Sequence, residues 1–283
     1  MIFELISSQV VRLSIGEVYE YWKNRLFPKP KTASEIVFER IQHLYEAHRL
    51  SGISLLQHVP SHWNWTVETV GSPERLAAAL HTEQLEWIAE TFRINRGWLD
   101  GSDETILSPM HGYKYLALLK RTLEEQGWLD GALEVSILAA NYQGGYGGLG
   151  WYAIVFSHPV ARPHGDVPQI YQSALLETQW NWGHWPSERD TLAIARWYSM
   201  EINRYAQIPI VPICDKDFED IVELRKHPGC FLPVGPGGYE CLEDRVLKSS
   251  ESTRAVQPEC VDSILSYLAE SGLLDEASEL KVR

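Results

Sequence analysis

Cysteine and positive charge are both scarce in this chain. Its four cysteines, at 214, 230, 241 and 260, are separated by gaps of 16, 11 and 19 residues. That is neither the short paired spacing of a zinc site nor the density of a disulfide framework. Thiols that stay reduced are expected. Lys and Arg number 25 against 38 Asp and Glu, a formal net charge of −13, which disfavours polyanions and anionic membranes as general partners and favours solubility. No apolar run approaches the roughly 20 residues of a bilayer span. The opening Met1-Ile2-Phe3-Glu4 lacks the basic start and cleavage pattern of a secretory signal. A cytoplasmic protein without membrane contact is therefore expected. A Gly-x-Ser-x-Gly elbow, a His-Glu-x-x-His helix and a paired-carboxylate spacing are all missing, so no catalytic residue, metal ligand or cofactor is assigned. The least poor acid–base pair is His184 with Glu188, one helical turn apart.

What remains is a globular composition, 45% hydrophobic and rich in tryptophan with 11 residues, on a chain long enough for two domains. Residues 34 to 101 carry the clearest pattern. Ser34 followed by Glu35 reads as a helix start, and Ile36, Val37, Ile41, Leu44 and Tyr45 recur at the spacing of one buried face. Arg49 to Gly52 breaks that helix. Ile53 to Val59 reads as a second helix and His62 to Val70 as a third, with Pro60-Ser61 between them. Ser72-Pro73-Glu74 starts a fourth, with Pro at the first helical position. Leu85, Ile88, Ala89 and Phe92 mark a fifth.

This order resembles the Cro/CI-type (XRE-like) helix-turn-helix family of bacterial and phage repressors. The residues that carry the likeness are Arg40-Ile41-Gln42-His43-Leu44 and the closing run from Leu85 to Gly101, which contains Leu-x-x-Ile-Ala and then Trp98-Leu99-Asp100-Gly101. At the centre, Leu55 to Pro60 stands where the family carries an Ala and a turn Gly. The resemblance implies a third helix that enters the DNA major groove. Ser61, His62, Asn64, Trp65 and Thr66 would then meet bases and phosphates.

Charge opposes that implication. Residues 34 to 101 hold nine acids against five bases, a balance of −4, and the presumed reading helix has no cation. Only the preceding stretch is basic. Lys23, Arg25, Lys29 and Lys31, interrupted by Pro28 and Pro30, could lie along phosphates or form a solvated linker. A helical module that binds protein is the alternative.

After a boundary near residues 102 to 112, Tyr115 to Gln126 is an amphipathic helix with Leu116, Leu119 and Leu123 inward. Gly-Trp-Leu-Asp-Gly occurs at 97 to 101 and again at 127 to 131, read as two alike helix ends. Strands are expected at 133 to 140, 150 to 156 and 169 to 176, then a helix from Ser187 to Tyr205. A strand from Ile208 to Ile213 should lie at an edge or the end of a sheet because of its two prolines, and Asp215 should cap a helix to Lys226. The fold class is α+β, an all-α helix-turn-helix-like unit (34–105, after the segment 1–33) followed by a mixed unit around one sheet (112–230). Residues 231 to 283 form a connector and a last helix, from Val261 to Leu274.

Two stretches of the second unit invite a ligand. The glycine-rich stretch from Asn141 to Gly150 joins two strands and has no Lys, so it reads as a hairpin loop and not a phosphate cradle. Trp180, Asn181, Trp182 and His184 cluster where a strand enters a helix, which suits stacking plus hydrogen bonding. The reading is a DNA-binding regulator with a ligand-sensing or oligomerising second domain. Its partners would be DNA, a small molecule, and a second copy or another protein. A small-molecule hydrolase ranks last.

Overall fold

The computed structural model describes residues 31–112, 114–142, 149–160, 169–177, 180–203, 207–233, 240–242, 264, 266–271 and 273. It has the expected α+β architecture, a helical N-terminal unit followed by a mixed sheet with helices.

The first helix, α1 (Ala33–Ala47), starts one residue before Ser34, because Thr32 forms a reciprocal capping box with Glu35. Such a cap stabilises a helix start by about 1 kcal/mol. Short helices follow: α2 (Gly52–Leu56), α3 (Val67–Gly71), α4 (Pro73–Ala79), α5 (Thr82–Phe92) and α6 (Arg96–Asp100). The expected third helix from His62 to Val70 is divided. Ser61–Trp63 is a single 3₁₀ turn, and Asn64 takes the left-handed conformation at φ 52°, a geometry that Asn tolerates better than most residues. Thr66 and Thr69 then cap each other to begin α3. Ile41, Leu44, Leu55, Leu76, Ile88, Phe92 and Leu99 fill the core of this unit.

The second unit opens with α7 (Leu116–Glu125), which buries Leu116, Leu119 and Leu123 as their spacing requires. The strands are β1 (Glu134–Ala140), β2 (Trp151–Pro159), β3 (Tyr171–Leu175), β4 (Trp180–Asn181), β5 (Pro209–Ile213) and β6 (Glu240–Cys241). They lie in the order β3-β2-β1-β5-β6, with β4 also on β2. Only β1 and β5 run parallel. Strand β5 is thus not the sheet edge. Its neighbour β6 pairs with Pro209 and Ile210, so among the described residues the Pro212 end of β5 has no partner strand on that side and the missing N–H is tolerated there.

Alternation along the strands feeds two cores. Ile137, Tyr152, Ile154 and Phe156 face α7 and α8 (Trp185–Trp197). Leu138, Ala153, Val155 and Val211 face α9 (Asp215–Val222), which buries Phe218 and Ile221. The cap of α9 is Cys214 and not Asp215. Ile264 and Leu268 of the C-terminal helical segment join the α7 side. Helix α8 runs on as one π turn, Tyr198–Ile202.

The two units share a core. Val160 and Ile170 from the β2–β3 end and Leu224 pack among the helical unit's apolar side chains. Met110 bridges the C-terminal end of β3, its N–H donating to Leu175 O at 2.7 Å and its O accepting from Glu177 N–H at 2.8 Å.

Candidate ligand site at the junction of the two units

The last residues of α5 meet the sheet beside β3. Gln172 Nε2 donates to Glu90 O at 2.8 Å, which fixes the end of the helix on the strand. Arg93 then terminates α5 in the left-handed conformation, φ 52°. Strain of this kind in a residue other than Gly costs of order 1 kcal/mol and is common where a side chain is held for a purpose. Arg93, Glu90, Ala89, Ile94, Asn95 and Ser108 line a cavity of about 350 Å³, at the small end of ligand-pocket volumes.

The charge in this cavity is unusual. Arg93 is partly buried, and its guanidinium lies 4.7 Å from the centroid of the Trp128 ring. The same indole stacks on His158 at 5.7 Å and 11°, and His158 Nε2 bonds Asp130 at 2.9 Å. That bond holds the Asp130 carboxyl below its ordinary range. Among the described residues no carboxylate pairs with Arg93, and burial disfavours its charged form. Glu90 lines the same space without closing an ion pair to Arg93. Asn95 is held rigidly, since its Nδ2 donates to Thr105 O at 2.9 Å and its Oδ1 accepts from Ser108 Oγ at 2.8 Å. The result is a cation, an anion and a fixed hydroxyl–amide pair around one cavity.

The other arginines of the helical unit are differently placed. Arg40 covers Trp98 at 5.1 Å and donates to Asp103 O. Arg49 donates to Leu232 O at 2.8 Å. Arg75 pairs with Glu68, and Arg96 pairs with Asp100 at 2.7 Å. Each cation is engaged within the chain.

The residues that the helix-turn-helix resemblance assigns to DNA lie as follows. Ser61, His62, Asn64 and Thr66 are exposed, and Trp65 is partly buried. Thr66 is used as a cap, and His62 sits 3.7 Å from Glu83. Trp63, Trp65 and Trp87 form a cluster, Trp63 lying 5.6 Å from a tilted Trp65 and 5.3 Å from an edge-on Trp87. Lys31 pairs with Glu39, while Lys23, Arg25 and Lys29 lie outside the described residues, as does the glycine run from 143 to 148.

The tryptophan cluster of the second unit is split by the fold. Trp180 is 1% exposed, packs near Tyr152 and donates through Nε1 to Glu177 O. Trp182 is partly buried against the same core. Asn181 Oδ1 accepts from Gly183 N–H, and His184 is the exposed N-cap of α8 with Nδ1 3.2 Å from Ser187 Oγ. His184 N–H and Glu188 N–H are spent on the backbone of this turn.

Both Gly-Trp-Leu-Asp-Gly segments bury their indole under an arginine and beside a histidine, Trp98 with Arg40 and His43, Trp128 with Arg93 and His158. In both, the Asp Oδ1 accepts the N–H two residues on, at 3.0 Å, and the closing Gly is left-handed. The first lies in α6 and the second follows the end of α7. The repeat therefore marked Trp128. Nothing in the sequence marked Arg93 as unpaired, because that depends on which carboxylates the fold brings near. Among the described residues no group of three or more His, Cys, Asp or Glu could hold a metal, and no helix is long and apolar enough to cross a membrane. Comparison with known proteins finds no matching family model, curated protein or solved structure.

Proposed function

We propose that the protein is a ligand-responsive regulator that binds a small anion at Arg93 and acts through contacts of its helical unit with another protein. The carrying observation is the Arg93 guanidinium, which has no carboxylate partner among the described residues, on the cavity at the end of α5. A carboxylate or phosphate would supply its missing partner, and an amine or hydroxyl on the same molecule would suit Glu90. The cavity's position explains how binding would be felt. Its walls are the end of α5, the N-cap of α6 and Ser108, so an occupant sits beside the point where Glu90 O accepts from Gln172 of β3. An acidic helical surface whose other arginines are engaged within the chain, with Trp63, Trp65 and Trp87 grouped on it, suits a basic protein partner better than phosphate.

DNA binding by the segment from Ser61 to Thr66 is the second reading, favoured by the exposure of His62, Asn64 and Thr66. A mobility-shift titration at low salt separates the two, since a DNA complex must weaken steeply as salt rises. The test of the main reading is a thermal-shift screen of small carboxylates, amino acids and phosphates. A ligand at one hundred times its Kd stabilises by about 2.7 kcal/mol. That is roughly 5–10 °C for a chain of this size. Arg93→Met, which keeps a stem on Trp128 but removes the charge, should abolish the shift. A screen without any saturable hit, or a hit unchanged in R93M, counts against the proposal.

A further inference from the structure

The turn after α9 is clasped to the C-terminal end of α1 by imidazoles. His43 Nε2 accepts the backbone N–H of His227 at 3.3 Å, and His227 Nδ1 accepts the N–H of Gly229 at 3.0 Å. His227 is fully buried, and its ring lies 4.9 Å from that of His48. His48 keeps part of its surface in water, but its Nε2 has none and no partner. The fit is close, since a Cβ on Gly229 would lie 2.8 Å from His227 Nδ1 and 3.0 Å from Ala47 O.

We propose that His43, His48 and His227 form a proton-sensitive latch that releases the 224–232 segment from the helical unit as pH falls from neutral toward 5. A neutral imidazole has one donor and one acceptor nitrogen. In His43 and His227 the acceptor is occupied by a backbone N–H of the turn, so a second proton on either ring sets N–H against N–H and breaks that bond. The tautomer this fixes on His227 places its ring proton on the buried Nε2, which leaves no lone pair there for a metal. Burial, together with the neighbouring imidazoles, pulls His227 well below its ordinary range and His48 to about 3. The surroundings offer little to offset a new charge. From α1 the facing groups are Tyr45, whose buried hydroxyl is itself unpartnered, Glu46, which favours charge on His43, and Arg49, bound to Leu232 O. From the turn come Lys226, which disfavours that charge, and the half-buried thiol of Cys230, and from α9 comes Asp217, already paired with Lys226 at 2.7 Å. Phe92 of α5 and Trp98 of α6 contribute uncharged ring faces.

The direction follows by linkage. A histidine held neutral when closed and ordinary when open takes up a proton on opening, so the closed state keeps its full stability above about pH 6.5 and loses it as pH falls below that value. Each of His48 and His227 should raise the opening constant about 30-fold at pH 5.

The experiment is hydrogen exchange of the full chain between pH 8 and 5, corrected for intrinsic exchange, comparing 224–232 with α8. The first segment should open roughly 1000-fold more readily at pH 5, the product of the two factors, while α8 stays protected. His227→Asn, whose Oδ1 can accept from Gly229 without titrating, should reduce that response about 30-fold, and H43Q/H48Q/H227N should remove it. A flat wild-type opening constant overturns the latch, as does equal loosening of α8 or an undiminished response in the triple variant. If the variants do not fold, the wild-type comparison of the two segments decides alone.

Discussion

Truncating Trp180 and Trp182 separately distinguishes packing from binding in the tryptophan cluster. The Trp180 side chain is almost wholly removed from water and hydrogen-bonded to Glu177 O. An indole of roughly 200–250 Å² at about 25 cal/mol per Å² gives about 5–6 kcal/mol as an upper bound. Residual burial in the unfolded chain reduces this by some 10–40%. Truncation also leaves a cavity and an unpaired carbonyl, so Trp180→Ala should cost about 3–5 kcal/mol. For a chain of this length that lowers Tm by roughly 6–20 °C. Trp182 is only partly buried, and Trp182→Ala should cost about half as much or less. Thermal melting by circular dichroism checks both. A Trp180→Ala loss below about 1 kcal/mol, or a larger loss for Trp182→Ala, would refute the packing argument.

Two further substitutions test the framework around the site. Asp190 is fully buried, accepts Lys114 N–H at 3.0 Å and holds Arg189 at 2.9 Å. Asp190→Ala should destabilise by about 3 kcal/mol in a denaturant titration, whereas breaking the exposed Arg121–Glu125 pair should cost less than about 0.5 kcal/mol. Gly229→Ala forces a methyl against Ala47 O and His227, and should speed exchange of 224–232 at pH 8 as well as at pH 5.

Much of the fold was legible because its signals are local. Leu116, Leu119 and Leu123 state the buried face of α7 without help from the rest of the chain, and the alternation in β1 and β2 does the same for the sheet. Local competition explains the boundary errors. Thr32 offered a reciprocal cap that Ser34 did not, Cys214 preceded Asp215 at the start of α9, and Asn64 accepted a left-handed turn inside a helical pattern. Strand β5 was misplaced at the edge because prolines report a missing donor, not how far a neighbouring strand extends. The candidate site was the least legible part. Arg93, Trp128 and His158 are far apart in the chain, and His227 meets α1 across 184 residues. The sequence also grouped Trp180 with Trp182, although the pleat places one in the core and the other near its rim.

The central claim is that Arg93, which among the described residues has neither a carboxylate nor a hydrogen-bonding partner, takes an anion from solution. Its side-chain ¹⁵N–Hε resonance can be followed by NMR while small amino acids, carboxylates and inorganic phosphate are titrated in. The account predicts a saturable shift of the Arg93 signal for at least one of these, with the signals of Arg40, Arg49, Arg75 and Arg96 nearly still. An Arg93 signal that stays fixed throughout, or moves only in step with the other four, would contradict it.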